Sequence, residues 1–385
     1  MKISDNTKYW LQVALANGLG PARLRDLLDR FGTVESICQQ NVTALSSAGL
    51  TITTADSLLA PDPERLDAAL RWLEQGNHHL LHWGHTDYPP LLEEAPSSPF
   101  ALFVAGNPIL LSLPQIAIVG SRNATANGLA TATLFAHHLS SSGFIVTSGM
   151  ARGIDAAAHT ACLENGAATI AVCGTGLDRV YPAEHVELAE RIRQQGALVS
   201  EFAPGTEAHK DHFPRRNRII SGLALGTLVV EAGIRSGALI TARFATEQGR
   251  EVFAIPGSIH SAQSKGCHQL IKQGAKLVET AADIAEELAP LAMNELLAQQ
   301  RNIDASQPPA DAANTRPTAH NGSESPAYEK LLEAMGWDPV NVDVLVESCG
   351  LTAGEVSSML LIMELEGRID SLSGGRYQRK VMSQQ

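Results

Sequence analysis

Apolar positions follow two different rhythms along this chain. Up to about residue 75 they recur at helical spacing in short bursts. One example is Leu24, Leu27 and Leu28 behind the turn Gly18-Leu19-Gly20-Pro21. This pattern predicts a domain of short helices over residues 1–75. A Gly-x-Gly turn opening a helix resembles half of a helix-hairpin-helix, whose turn amides can touch a phosphate; a plain glycine turn in a helical bundle reads equally from the same residues. From Ile116 the rhythm changes. Continuous apolar runs at 116–119, 144–146, 169–172, 197–199, 227–230 and 252–255 are each bounded by glycine or polar turn residues. Helical patterns over 126–139, 183–195 and 240–248 separate most of them. Apolar strands alternating with helices predict a parallel sheet covered on both faces. The expected core is therefore a Rossmann-like α/β domain over residues 76–290.

Beyond it, residues 291–325 are polar and without periodicity (Gln299, Gln300, Gln307, Pro308, Pro309, Asn321), which predicts a flexible linker. Residues 326–385 regain a compact pattern. Helices are expected over 327–335, 342–349 and 352–366, the last opened by Thr352 and Glu355 at capping-box spacing. A hairpin with Gly374-Gly375 inside follows over 369–379. Helix-turn-helix followed by a glycine-tipped hairpin is the pattern of a winged helix. Its third helix carries Glu355, Ser357 and Ser358 and no Lys or Arg, which argues against duplex reading and equally suits protein docking.

Composition narrows the function. A chain of 385 residues calls for two or three domains, and 44% hydrophobic residues supply a sizeable core. No stretch is long and apolar enough to span a bilayer, and Met1 to Asp5 lack the apolar core of a signal peptide, so cytoplasm is the expected compartment. Five scattered cysteines without a Cys-x-x-Cys pair argue against a disulfide framework or structural zinc. The net charge of −12 opposes nucleic-acid binding at first sight, yet binding follows the local field. Between Lys210 and Arg218 one acid, Asp211, faces four Lys or Arg residues. That run, Phe213-Pro214-Arg215-Arg216-Asn217-Arg218, places arginine forks suited to phosphate beside a ring on which an unpaired base can stack.

In an open parallel sheet, ligands bind at the carboxyl ends of strands. There the chain reads Gly120-Ser121-Arg122-Asn123, Ser148-Gly149-Met150-Ala151-Arg152-Gly153-Ile154-Asp155, Gly174-Thr175-Gly176, Glu231-Ala232-Gly233 with Ser236-Gly237-Ala238 and Thr241, and Pro256-Gly257. Glycine brings backbone amides close to an oxyanion, and helix N-termini add a favourable dipole. Several such loops on one sheet edge predict a phosphate-binding rim. No cofactor is expected: Gly174-Thr175-Gly176 has Arg179 where a dinucleotide fingerprint needs glycine, and a Walker sequence is missing. His159 reads as a packing histidine, Glu231 as the partner of an arginine, and His78, His79, His82 and His85 lack a metal-ligand spacing.

In this order along the chain, Gly120-Ser121-Arg122, Ser148 to Asp155 with His159, Phe213-Pro214-x-Arg216-Asn217-Arg218, Glu231-Ala232 with Ser236-Gly237, and Pro256-Gly257 resemble the DNA-processing protein A family (DprA, also called Smf). Tyr88-Pro89-Pro90-Leu91-Leu92 and Leu102-Phe103 with Gly106 extend the resemblance to roughly residues 80–290. It implies a cytoplasmic, non-enzymatic protein that binds single-stranded DNA during natural transformation, protects it, and loads a RecA-type recombinase. It also implies a homodimer formed through the Rossmann-like domain. By resemblance the DNA contacts map onto Gly120, Ser121, Arg122, Lys210, Phe213, Asn217 and Arg218. The residues themselves add Arg152, Arg216, Ser236, Gly237 and Thr241. Two departures stand out: Ser97-Ser98-Pro99 where many members have Asp-Pro-Pro, and His268 where many have asparagine. The alternative is a nucleoside monophosphate hydrolase of related fold, whose Pro-Gly-Gly-x-Gly-Thr-x-x-Glu loop is completed neither by Pro256-Gly257-Ser258 nor by Gly226-Thr227 with Glu231. A transcription factor acting through the last domain would rest on fold analogy alone.

Overall fold

The computed structural model describes residues 4–306 and, beyond them, 331, 334–336, 340–349, 356, 359, 360, 363, 369–372 and 376–379. The chain forms two compact units, Met1–Ser306 and Gln307–Gln385. The first opens with six short helices: α1 (Asp5–Leu15), α2 (Pro21–Phe31), α3 (Val34–Cys38), α4 (Val42–Ser47), α5 (Ile52–Leu59) and α6 (Pro63–Leu73). Their starts are set by side-chain caps that satisfy otherwise orphaned amides. Ser4, Thr33, Asn41, Thr51 and Asp62 each accept a backbone N–H in the first turn that follows. Helix α2 differs: its N-cap is Gly20, without a side-chain bond, and Pro21 begins it. The buried faces (Leu11, Leu24, Ile37, Leu58, Trp72) share one core with Leu80, Phe103, Ala171 and Leu198 of the sheet.

The sheet has nine strands: β1 (His78–His82), β2 (Ala101–Gly106), β3 (Gln115–Val119), β4 (Ile145–Ser148), β5 (Thr169–Val172), β6 (Ala197–Ser200), β7 (Gly226–Val229), β8 (Glu251–Ala254) and β9 (Lys276–Leu277). Short α7 (Pro90–Glu93) lies between β1 and β2; α8 (Ala126–Ser141), α9 (Ile154–Glu164), α10 (Val186–Gln195), α11 (His212–Leu223), α12 (Ala238–Glu247) and α13 (Lys265–Lys272) connect the later strands. Helix α14 (Ala281–Ser306) follows β9 and runs through residues expected to begin a linker. The six apolar runs are strands β3 to β8, all parallel where they neighbour one another. Three strands lie outside the sequence expectation. β1 and β2 extend one edge antiparallel, and two-residue β9 extends the other.

Strand order is β1-β2-β6-β5-β4-β3-β7-β8-β9. The chain builds outward from β3 through β4 and β5 to β6, then returns along α11 and enters β7 on the opposite side of β3. The order therefore reverses between β3 and β7, and a crevice opens at their carboxyl ends. Glycine closes its base. Gly153 has φ +76°, and a Cβ there would lie 2.2 Å from the Ser121 carbonyl, so α9 docks against the β3 loop only without a side chain.

In the second unit, β10 (Val340–Asn341), α15 (Val342–Cys349), β11 (Ile369–Leu372) and β12 (Arg376–Arg379) form a helix and a three-stranded sheet of order β10-β12-β11. Leu331, Met335, Leu345, Val356, Met359, Leu360, Met363 and Ile369 make its core. Thr352, Glu355, Ser357 and Ser358, and the expected linker over 307–325, lie outside the described residues. Among those described, no helix is long and apolar enough to cross a membrane.

His159 on α9 is fully buried against the sheet. Thr169 Oγ1 donates to the Val146 carbonyl at 2.6 Å, so the 2.8 Å bond between His159 and that oxygen is donated by Nδ1. Nε2 is left as a bare acceptor without a partner. Burial, reinforced by the positive charges of His185 and Arg216, pushes the imidazole down to about 3. The unfolded chain then binds one more proton than the folded chain between about pH 6.5 and 3. Stability contributed by neutral His159 is complete above the unfolded value and falls by about 1.4 kcal/mol per pH unit as pH drops through that window. Urea unfolding of His159→Gln across pH 7 to 4 is expected to show a shallower acid loss than the parent; parallel curves would contradict it.

Candidate nucleic-acid interface

The crevice at the β3/β7 switch point has a volume of about 480 Å³. Its walls are Gly120 to Asn123 after β3, Ala151 and Asp155 after β4, Arg216, Asn217 and Ile220 on α11, Gly233 and Arg235 to Ala238 after β7, and Thr241 on α12. The β3 loop is shaped by Ser121, whose hydroxyl accepts the Asn123 N–H at 3.2 Å. A Cβ on Gly120 would sit 2.6 Å from Ile154, so only glycine lets the backbone line the wall there. Helix α12 presents its N-terminus to the crevice through Ser236-Gly237-Ala238, with no side-chain cap on Gly237. The Ala238 amide turns back to the Ser236 hydroxyl at 3.3 Å, and the helix dipole at that place favours an anion.

Two guanidinium groups stand free in this crevice. Arg122 and Arg235 are exposed, line it, and make no ion pair with a described residue. Arg235 escapes the sequence reading because it stands alone between Ile234 and Ser236, outside any basic run. Beside the crevice, the Arg122 guanidinium lies 5.8 Å from the centre of the half-buried Phe213 ring. Tyr181 approaches Phe213 at 5.2 Å between centroids and is 53% exposed. Together they form a cation-edged aromatic shelf. Lys210, exposed just before α11, also has no ion pair among the described residues.

The other basic residues expected at the site have partners within the fold. Arg216 is buried in the crevice wall, donating through Nη1 to the Gly149 carbonyl at 2.5 Å and to the Val172 carbonyl. Asp155 lies beside it, accepting the Gly149 and Ala151 amides at 3.1 and 3.2 Å. Burial pushes the Asp155 carboxyl above its ordinary range, and Arg216 and those two amides oppose the shift. Burial likewise lowers Arg216, against the pull of Asp155. Arg216 is thus an anchor, not an exposed phosphate fork.

Arg218 departs further from expectation. It donates to the Ser97 carbonyl at 2.5 Å and to Glu201 Oε2 at 2.6 Å, on the face of α11 turned away from the crevice. Arg215 reaches the same oxygen at 2.9 Å. Helical period explains the split: positions 213, 216, 217 and 220 share one face, while 212, 215 and 218 share another. A run that reads as one basic patch is divided between two surfaces. Arg152 is held by Glu184 in a two-pronged pair, both bonds 2.6 Å. Glu231, expected beside an arginine, instead accepts the Thr125 amide and hydroxyl at 3.0 and 2.6 Å at the start of α8.

Asn217 donates to the Gly237 carbonyl at 3.4 Å, joining α11 to the α12 loop. His78 and His82 bond the Trp72 and Trp83 carbonyls and stack on Trp72 and Trp10. Among the described residues, no cluster of three or more His, Cys, Asp or Glu side chains could hold a metal.

A Rossmann-type sheet with a cationic, aromatic-edged crevice at its switch point defines an α/β protein with a candidate anion site. Residues 79–289 match the family described as DNA recombination-mediator protein A, and residues 306–375 match the DprA winged helix domain. The chain belongs to the DNA recombination-mediator protein A family. Protein Smf of Escherichia coli K12 is 42% identical over 336 residues, covering 87% of this chain and 86% of its own. The DNA processing protein DprA of Streptococcus pneumoniae R6 is 48% identical over 200 residues, 52% of this chain and 71% of that one. The solved S. pneumoniae DprA superposes with TM-score 0.65 at 37% identity, covering 74% of this chain and 99% of that one. A Helicobacter pylori DNA processing protein A, described for its single-stranded DNA binding mode, superposes with TM-score 0.51 at 25% identity, covering 55% and 96%.

The two arginines that leave the site differ in energetic weight. Glu201 is 3% exposed and the Arg218 side chain 10%. Removing one member of such a buried pair costs about 3–5 kcal/mol, and Arg215 holds the loss toward the lower end. Arg218→Ala is expected to lower the urea midpoint strongly, whereas Arg152→Ala at the exposed Glu184 pair leaves it unchanged within error. Equal shifts in the two variants would overturn this assignment.

Proposed function

We propose that this chain binds single-stranded DNA across the β3/β7 crevice and passes it to a RecA-type recombinase. One observation carries the reading: a chain of net charge −12 keeps Arg122 and Arg235 out of any ion pair with a described carboxylate inside one crevice, beside the Phe213 and Tyr181 rings. Phosphates are assigned to Arg122, Arg235, Lys210 and the α12 N-terminus. Ser121, Asn217, Ser236 and Thr241 supply shorter polar contacts, and Gly120 and Gly237 allow backbone approach. An unpaired base is assigned to the Phe213 shelf, where stacking is worth about 1–3 kcal/mol per base. A duplex hides the base faces that this shelf would use. The H. pylori relative's single-stranded DNA binding supports the same choice of ligand.

The proposal includes a homodimer, a cytoplasmic location and no catalytic turnover. The carboxylates nearest the crevice support the last point. Asp155 is committed to two amides, and Glu231 to Thr125, so neither is positioned to activate water. Release of free base from a nucleoside monophosphate by the purified protein would reverse that part and restore the hydrolase alternative.

Fluorescence anisotropy of a labelled oligo-dT strand, titrated across salt, tests the site. Each lost phosphate contact lowers the log-log salt slope by about 0.7 for a single strand. Arg122→Ala and Arg235→Ala are each expected to show that loss, while Phe213→Ala weakens binding by about 1–3 kcal/mol with the slope retained. Unchanged slopes in both arginine variants would remove DNA from this crevice.

A further inference from the structure

Helix α11 has a second cleft on its other face, also about 480 Å³, between the turn that opens α2 and the β2 and β6 strand ends. Three independent features converge there. The first is Glu201, which is 3% exposed and lines the cleft. Its Oε2 takes both Arg215 and Arg218, and its Oε1, though buried, has no hydrogen-bond partner. A buried carboxylate oxygen without a donor is unfavourable, so the position calls for an N–H or O–H from outside the chain. The second is the turn Gly18-Leu19-Gly20 with the start of α2, which has no side-chain cap. Arg65 lies in the same lining, bonded to Asn17 and free of any described carboxylate. Amides, dipole and guanidinium together suit a phosphate. The third is a stacked ring pair with a cation beside it. Phe202 stacks on His212 at 4.2 Å, with the Arg215 guanidinium 5.4 Å from its centre.

We propose that this cleft is a second nucleotide site, which takes a nucleoside monophosphate with a base N–H on Glu201 Oε1 and its phosphate at Arg65 and the α2 turn. The site is separate from the crevice assigned to DNA and does not rest on that assignment. The same chemistry has two sources, a free nucleotide or the phosphorylated end of a strand.

GMP is a suitable probe because its base offers N–H donors along one edge, and ribose 5-phosphate and inorganic phosphate are the controls. Since Glu201→Gln also disturbs two arginines, Arg65→Ala carries the test. Calorimetric titration is expected to show GMP binding at least about 10-fold tighter than ribose 5-phosphate, a difference of about 1.4 kcal/mol. Arg65→Ala is expected to weaken GMP by a similar factor, and Arg122→Ala to leave it unchanged. The proposal is overturned by no GMP binding, by equal affinity for ribose 5-phosphate, by indifference to Arg65→Ala, or by loss in Arg122→Ala. In the Arg122→Ala protein, competition by a 5′-phosphorylated strand but not its 5′-hydroxyl form supports the site and names a strand end as occupant. Absence of that competition, with GMP still bound, supports it with a free nucleotide.

Discussion

The carboxyl edge of a parallel sheet ends in carbonyls that need donors, and Arg216 supplies them. Its guanidinium reaches the carbonyls of Gly149 and Val172, where β4 and β5 run out. Burying that charge is costly, and the nearby Asp155 carboxylate, itself held by two amides, offsets the cost. Helix α11 is thereby pinned across the strand ends, which places Asn217 and Phe213 beside the β3 and β7 loops. The crevice exists because that helix is held there. The wall residue that looks most like a ligand group is the one whose donors the fold itself uses.

The same anchor sorts charge. With one face of α11 fixed against β4 and β5, the rotation of the helix is set, and Arg215 and Arg218 must emerge on the opposite side. Glu201 gathers them there at a position 3% exposed. What remains on the crevice side comes from loops: Arg122 after β3 and Arg235 after β7. An acidic body with two unneutralised guanidinium groups in one crevice repels polyanions generally and attracts them locally. Global charge and local function are therefore compatible without a basic surface.

Much of the fold was legible because buried parallel strands write themselves as continuous apolar runs, and β3 to β8 do so. The edge strands were not. β1 reads His78-His79-Leu80-Leu81-His82, and its histidines hide a strand whose rings bond the Trp72 and Trp83 carbonyls. β2 stands ahead of the alternating β-α pattern, and β9 has two residues. At the candidate site, the glycine-rich strand ends read from the sequence line the crevice, since a turn that approaches a ligand closely needs small residues. The arginines were harder. Local charge density marked the run 215–218, but density along a chain ignores the helical turn that sends neighbours to different faces. Arg235 and Tyr181 show the converse: isolated in sequence, they join Arg122 and Phe213 only through the sheet order and the loop after β5.

Two clefts that share one helix cannot be shaped independently. Arg216 on one face and Arg218 on the other both tie α11 to main-chain carbonyls, those of Gly149 and Val172 in one case and Ser97 in the other. A helix restrained on both sides gives each cleft a preformed wall, so binding at either need not order α11. The adaptable parts are the exposed groups around it, Lys210, Arg122, Arg235 and Tyr181 on one side and Arg215 on the other. Affinity for different ligands should then vary through these side chains while the wall stays constant. On the proposed function, that division suits any sequence of bases: the fixed edge supplies position, and the exposed cations and rings tolerate whatever base is present.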